Sequence, residues 1–84
     1  MSGHATAVKI IGAAIRDLRE KKGLTLEGLA SKADVSYQYL SGIETGKENF
    51  SIRILEQIAS ALEVPLSRLV QQAYGGAGQP KQGA

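Results

Sequence analysis

Cysteine is absent from this 84-residue chain, which excludes both a disulfide staple and a thiolate zinc site. Histidine occurs once, at His4. A lone imidazole with no cysteine or carboxylate cluster beside it is a poor metal site, so the expectation is no metal and no cofactor. Long apolar runs are also missing, and none approaches the roughly 20 residues of a membrane span. The N-terminus lacks the basic stretch and apolar segment of a secretory signal. These absences predict a soluble, cytoplasmic protein with no membrane partner. Aromatic residues are few, three Tyr and one Phe, whereas a single-strand stacking platform spreads several along a groove. An RNA-recognition or OB-type module is therefore disfavoured. No nucleophile–base set, phosphate-cradling glycine loop or carboxylate cluster can be picked out, and the chain is not read as an enzyme.

What the chain does have is helical periodicity from end to end. Val8, Ile11, Ile15 and Leu18 fall three and four apart, as one stripe of a helix starting near Thr6. Lys9, Arg16, Asp17 and Glu20 take the opposite face, and Gly23 ends the helix behind Lys21 and Lys22. Thr25 caps a short second helix whose buried face is Leu26, Leu29 and Ala30. Asp34 breaks that pattern and Val35 follows as an apolar plug. Ser36 caps a third helix running to about Thr45, with Leu40 and Ile43 inward and Gly46 closing it. After the polar loop Lys47–Phe50, Asn49 or Ser51 caps a fourth helix with the stripe Ile52, Leu55, Ile58, Ala59 and Leu62. Pro65 opens a fifth, bearing Leu66, Leu69 and Val70. No strand-like alternation and no internal repeat is present. The fold class is all-α: a compact bundle of five short helices. Residues 1–5 are expected to be a flexible N-terminus, 6–74 one domain and 75–84 a flexible tail rich in Gly, Gln and Ala.

The link between the second and third helices is the informative one. It is only about four residues long, with apolar residues on both sides that demand a shared core, so the two helices must cross steeply. The segments G-L-T-L-E-G-L-A-S-K-A-D-V-S, Y-Q-Y-L-S-G-I-E-T-G-K and N-F-S-I-R-I-L-E-Q-I-A-S-A-L-E-V-P-L-S-R-L follow one another with short gaps across Gly23–Leu69. In this order they closely resemble the Cro/phage-repressor type (Xre-like) helix-turn-helix family, with a lambda-repressor-like DNA-binding domain. I-R-D-L-R-E-K-K-G-L-T extends the match upstream, and S-Y-Q-Y-L-S-G-I-E is similar to the controller proteins of restriction–modification systems.

The resemblance implies a sequence-specific double-stranded DNA-binding transcriptional regulator, a repressor type acting as a homodimer on a near-palindromic operator. Tyr37, Gln38, Ser41 and Gly42 match the positions that face base edges. Thr25, Ser36, Tyr39, Gly46, Lys47, Asn49 and Arg53 match positions that meet the sugar-phosphate backbone. Arg19 and Glu44 match a structural ion pair, and Ala30 the small residue where the motif helices approach. Dimerisation is expected through Leu66, Leu69 and Val70. Departures stand beside these matches. Leu26 replaces a usual polar residue, and Gly28 leaves Thr25 without a capping box. Asp34 occupies a turn position that is often glycine, Gly42 offers no side chain to a base, and Glu48 puts a negative charge near the backbone-gripping loop.

The residue chemistry agrees with this assignment independently. Gln38 has the amide geometry to pair with adenine, and Tyr37 a hydroxyl to donate or a ring to lie against a thymine methyl. Ser41 follows Gln38 on the same face. A net charge of +2 and a pI near 9.1 permit a nucleic-acid partner without demanding one. The alternative is a helix-turn-helix domain used for protein–protein recognition, with Tyr37 and Tyr39 as aromatic anchors.

Overall fold

The computed structural model describes residues 3–75, with side chains described from Ala7 onward. Five helices follow in order: α1 Gly3–Lys21, α2 Leu26–Ala33, α3 Tyr37–Glu44, α4 Ile52–Ala61 and α5 Leu66–Tyr74. No strand occurs among the described residues, and none of their helices is long and apolar enough to cross a membrane. α1 begins at Gly3, earlier than the periodicity indicates. No proline interrupts the stretch before Thr6, so the helix propagates beyond its apolar stripe. α3 ends at Glu44, with Thr45 as its cap. The expected flexible tail lies outside the described residues except for Gly75, which caps α5.

Helix starts follow the capping residues. Thr25 Oγ1 accepts from Gly28 N at 2.9 Å, Ser36 Oγ from Tyr39 N at 2.9 Å and Ser51 Oγ from Ile54 N at 3.1 Å. Ser51, not Asn49, is therefore the cap of α4.

Helix ends share one device. Gly23, Asp34, Gly46 and Glu63 all have positive φ, between 61° and 79°. In each case the amide of the following residue reaches back five positions: Leu24 N to Arg19 O, Val35 N to Ala30 O, Lys47 N to Gly42 O and Val64 N to Ala59 O, at 2.8–3.1 Å. This is the Schellman closure, which satisfies carbonyls that the helix leaves unpaired. Leu24, Val35 and Val64, the residues just past three of these turns, pack on the core. At the fourth, after α3, the same position is the exposed Lys47.

The core joins all five helices. Ile15, Leu29, Leu40, Ile43, Ile58, Leu62 and Leu69 are essentially inaccessible. Leu69 thus belongs to the interior of the monomer and has no surface to give to a dimer, which corrects its expected place in an interface. Leu66 is half-buried against the same core, and Val70 is 41% exposed. The reason is α1: it packs along α5 and α3, so α5 spends one face of its stripe on the monomer. Ala14 and Ala33, outside the expected stripes, are buried as well.

Two contacts hold elements that sequence periodicity does not connect. Gln57 Nε2 on α4 donates to Ala33 O at the end of α2, at 2.9 Å. Gly12 on α1 lies so close to α3 that a Cβ there would collide with the backbone carbonyl oxygen of Ile43. Gly→Ala inside a helix ordinarily stabilises by up to about 1 kcal/mol. Here the sign reverses, because backbone cannot move aside as a side chain can. Gly12→Ala is expected to lower stability by about 1–3 kcal/mol, read as a reduced denaturation midpoint with unchanged helix content in the folded baseline.

Candidate nucleic-acid interface

α3 is divided between inside and outside. Leu40 and Ile43 are fully buried, which turns Tyr37, Gln38, Ser41 and Thr45 towards the surface. Tyr37 is 47% exposed, Gln38 and Thr45 are exposed and Ser41 is half-buried. Ser36 caps the helix at its start, so the remaining first-turn amides and the positive end of the helix dipole lie beside this face. α2 precedes it across the three-residue turn Asp34, Val35 and Ser36, and the two helices pack against each other.

The inner side of α3 is fixed by α1. Arg19 Nε donates to Glu44 Oε2 at 2.8 Å and Nη2 donates to Oε1 at 3.0 Å, a bidentate pair. Its remaining arm, Nη1, donates to Leu24 O at 3.0 Å. The side chains are 12% and 5% exposed. The hydrogen bond to Glu44 raises the Arg19 pKa above its already high value, with burial opposing it. Gly12 stands two turns earlier on α1, against the same helix.

The outer end of α3 passes into a tightly tied loop. Gly42 O accepts from Lys47 N at 2.8 Å and from Glu48 N at 3.1 Å. Thr45 Oγ1 donates to Ser41 O at 3.0 Å. The Tyr39 hydroxyl donates to Asn49 O at 2.9 Å and spans from the helix to the far side of the loop. Gly46, with φ 79°, lies against the stem of Lys9 from α1; a Cβ would come within 2.6 Å of Lys9 Cγ.

The structure therefore brings Ser36 and Tyr39, Tyr39 and Asn49, and Gly42 and Lys47 into direct contact. Gly42 is not open to a base, because the Glu48 side chain lies over it, and this corrects its expected role as a reader. Thr25 sits at the start of α2 and Arg53 in the first turn of α4, both exposed. Arg53 lines an open cavity of about 550 Å³ together with Lys32, Asp34 and Glu56. Sequence reasoning missed Lys9, whose placement beside Gly46 has no local signature. Of the two tyrosines weighed as protein-binding anchors, Tyr39 is half-buried with its hydroxyl engaged, so only Tyr37 presents a free ring.

A helix-turn-helix family model matches residues 15–69, from the buried Ile15 to the buried Leu69. The chain belongs to this helix-turn-helix family. The HTH-type transcriptional regulator SinR of Bacillus subtilis is 38% identical over 66 residues, covering 77% of this chain and 60% of SinR. The chain thus spans less than two thirds of the length of that regulator. Among solved structures, the clp gene regulator ClgR of Corynebacterium glutamicum has a TM-score of 0.80 at 32% identity, covering 92% of this chain and 80% of that one. The controller protein C.Esp1396I, solved bound to a 19 base pair DNA duplex, has a TM-score of 0.76 at 33% identity, with 80% and 89% covered. SinR is a transcriptional regulator, ClgR a regulator of clp genes and C.Esp1396I a restriction–modification controller. The resemblance to restriction–modification controllers stands as a structural likeness.

The helix-turn-helix geometry makes Arg19 the most exacting of the buried partners, since its loss leaves the Glu44 carboxylate inside without a cation. Arg19→Ala is expected to cost about 3 kcal/mol. Arg19→Lys should recover only part, because an ammonium cannot reproduce the two-pronged pairing. Thermal denaturation of the two variants checks the ranking, and a melt of Arg19→Ala within a degree or two of the parent would contradict it.

Proposed function

We propose that this chain is a sequence-specific, double-stranded DNA-binding transcriptional regulator acting in the cytoplasm, with α3 in the major groove. The observation that carries the reading is the outward polar face of α3, Tyr37, Gln38 and Ser41, on a helix whose other side is locked by Arg19 and Gly12. Reading base edges needs short polar groups on a rigid helix that enters the groove. The DNA-bound relative supports the same use of the fold. One helical domain, close to the expected 6–74, performs it. Gln38 reads adenine by its amide, and Tyr37 and Ser41 contact neighbouring base edges.

Backbone contacts in this reading come from both helix starts and from the loop. Thr25 and Ser36 present α2 and α3 amides to phosphates. Lys47, Asn49 and Arg53 grip from the loop and from α4, beside Gly46 and Tyr39. The amides of Lys47 and Glu48 are already committed to Gly42 O, so the Lys47 contribution is that of its ammonium. Lys9 adds a second cation at the same place. Selection of bound sequences from random duplex DNA at two salt concentrations tests the reading. It predicts an enriched, near-palindromic motif and a steep loss of affinity with salt. Lys47→Ala should weaken all sequences alike and reduce the salt slope by about one unit.

The dimer of this proposal forms through the outer face of α5. Val70 and Tyr74 are four apart and exposed, 41% and 38%, and Leu66 continues the line. A two-fold axis there would set two recognition helices about 34 Å apart, the spacing of successive major grooves. Val70→Glu is expected to shift sedimentation in the micromolar range from dimer to monomer, and to weaken binding to a complete operator about a hundredfold. Half-site affinity should not change. Identical sedimentation of the two proteins would move the interface elsewhere.

A further inference from the structure

Gly42 and Glu48 together fill a place that a single side chain fills elsewhere on the outer face of α3. Gly42 lies four residues after Gln38, hence one turn along the same side of α3. It has no side chain, yet its place is filled. A Cβ built there would stand 3.3 Å from Glu48 Cβ and 3.6 Å from Glu48 Cδ, and would collide with Cγ. The Glu48 chain thus runs across Gly42 with its carboxylate at the surface, and the residue is exposed. Its origin is held. Gly46 turns the chain at φ 79°, and the amides of Lys47 and Glu48 both donate to Gly42 O.

We infer that Glu48 is a specificity-determining residue, which presents an acceptor to an exocyclic base amine, cytosine N4 first, from the position that Gly42 leaves vacant. The inference rests on the DNA-binding reading above. An ionised carboxylate has acceptors and no donor. In the major groove the donors are cytosine N4 and adenine N6, while guanine O6 and N7 and thymine O4 are acceptors that a carboxylate repels. Adenine N6 has the N7 acceptor beside it, which leaves cytosine the better match. The residue stands about 6 Å along the helix from Gln38, so the base pair it reads lies one or two steps from that read by Gln38. The glycine is required by this arrangement, since any side chain at 42 would displace Glu48.

The test is bound-sequence selection from random duplex DNA with the full chain, comparing the parent with Glu48→Ala, Glu48→Gln and Gln38→Ala. Folding of each variant is checked by its thermal melt. Expected is a preference in the parent for cytosine at one pair next to the Gln38 position. Glu48→Ala loses about tenfold of discrimination at that pair alone, and binds unselected duplex more tightly because a charge near phosphates is gone. Glu48→Gln, which keeps the packing on Gly42 and adds donors, broadens the preference there. Gln38→Ala alters a different pair. If Glu48→Ala tightens every sequence equally and leaves all base preferences intact, the residue is only a repelling charge and the inference is overturned, with the DNA-binding reading intact. If the parent enriches no motif at any salt concentration, both fall.

Discussion

Arg19 spends its guanidinium on a different helix from its own. Two arms close on the Glu44 carboxylate and the third on Leu24 O. One side chain therefore joins α1, the end of α3 and the turn leading into α2. The charges are nearly buried, so the gain over a well-packed apolar pair is small, but the geometry is specific. Only one rotation of α3 places Glu44 where it meets that fork. The same rotation puts Leu40 and Ile43 in the core and Gln38 outside. Gly12, two turns up α1, sets the distance, because the α3 backbone rests where its side chain would be. Rotation and depth of the recognition helix are thus both determined from behind.

The four Schellman closures show a second economy of design. Three end in an apolar residue that returns the chain to the core: Leu24, Val35 and Val64. The fourth ends in Lys47, and the chain leaves the core instead. The same backbone device thus serves packing at three sites and a surface loop at one. The loop is not slack for that reason. Gly42 O holds two amides, Tyr39 reaches across to Asn49 O and Gly46 sits on the Lys9 stem. Two closures use residues other than glycine, Asp34 and Glu63. Asp accepts the left-handed region better than most side chains, and a strain of about 1–2 kcal/mol at Glu63 is the kind of cost a local turn carries when the apolar residue after it is buried.

The fold was legible because its signals are local. Apolar stripes of period three and four, hydroxyl caps at Thr25, Ser36 and Ser51, and glycines at 23 and 46 all act within a turn or two. The Arg19–Glu44 pairing entered through family likeness, since nothing in the spacing of two residues 25 apart announces a contact. What sequence could not show are contacts between elements. Gly12 looks like an ordinary weak point in a helix until α3 is laid on it. Lys9 looks like a solvated lysine, and Gln57 like a surface glutamine, although it caps α2. Leu69 had the right period for either the core or an interface, and periodicity cannot choose between two burials. α1 decides it by packing along α5.

Gly42 shows the same limit from the functional side. Read as a sequence, a glycine on the exposed face is a missing contact and Glu48 a misplaced charge, two separate defects. In three dimensions each accounts for the other, because the Glu48 stem occupies the space the glycine vacates. Sites carried on helices hold their geometry better than sites on loops. Here a loop residue acquires nearly the precision of a helical one, since its amide is bonded to the recognition helix itself. The outer surface here is therefore not that of one helix. It is the surface of α3 and the loop folded back upon it, and in the proposed DNA-binding reading its chemistry is set jointly by residues four to ten positions apart.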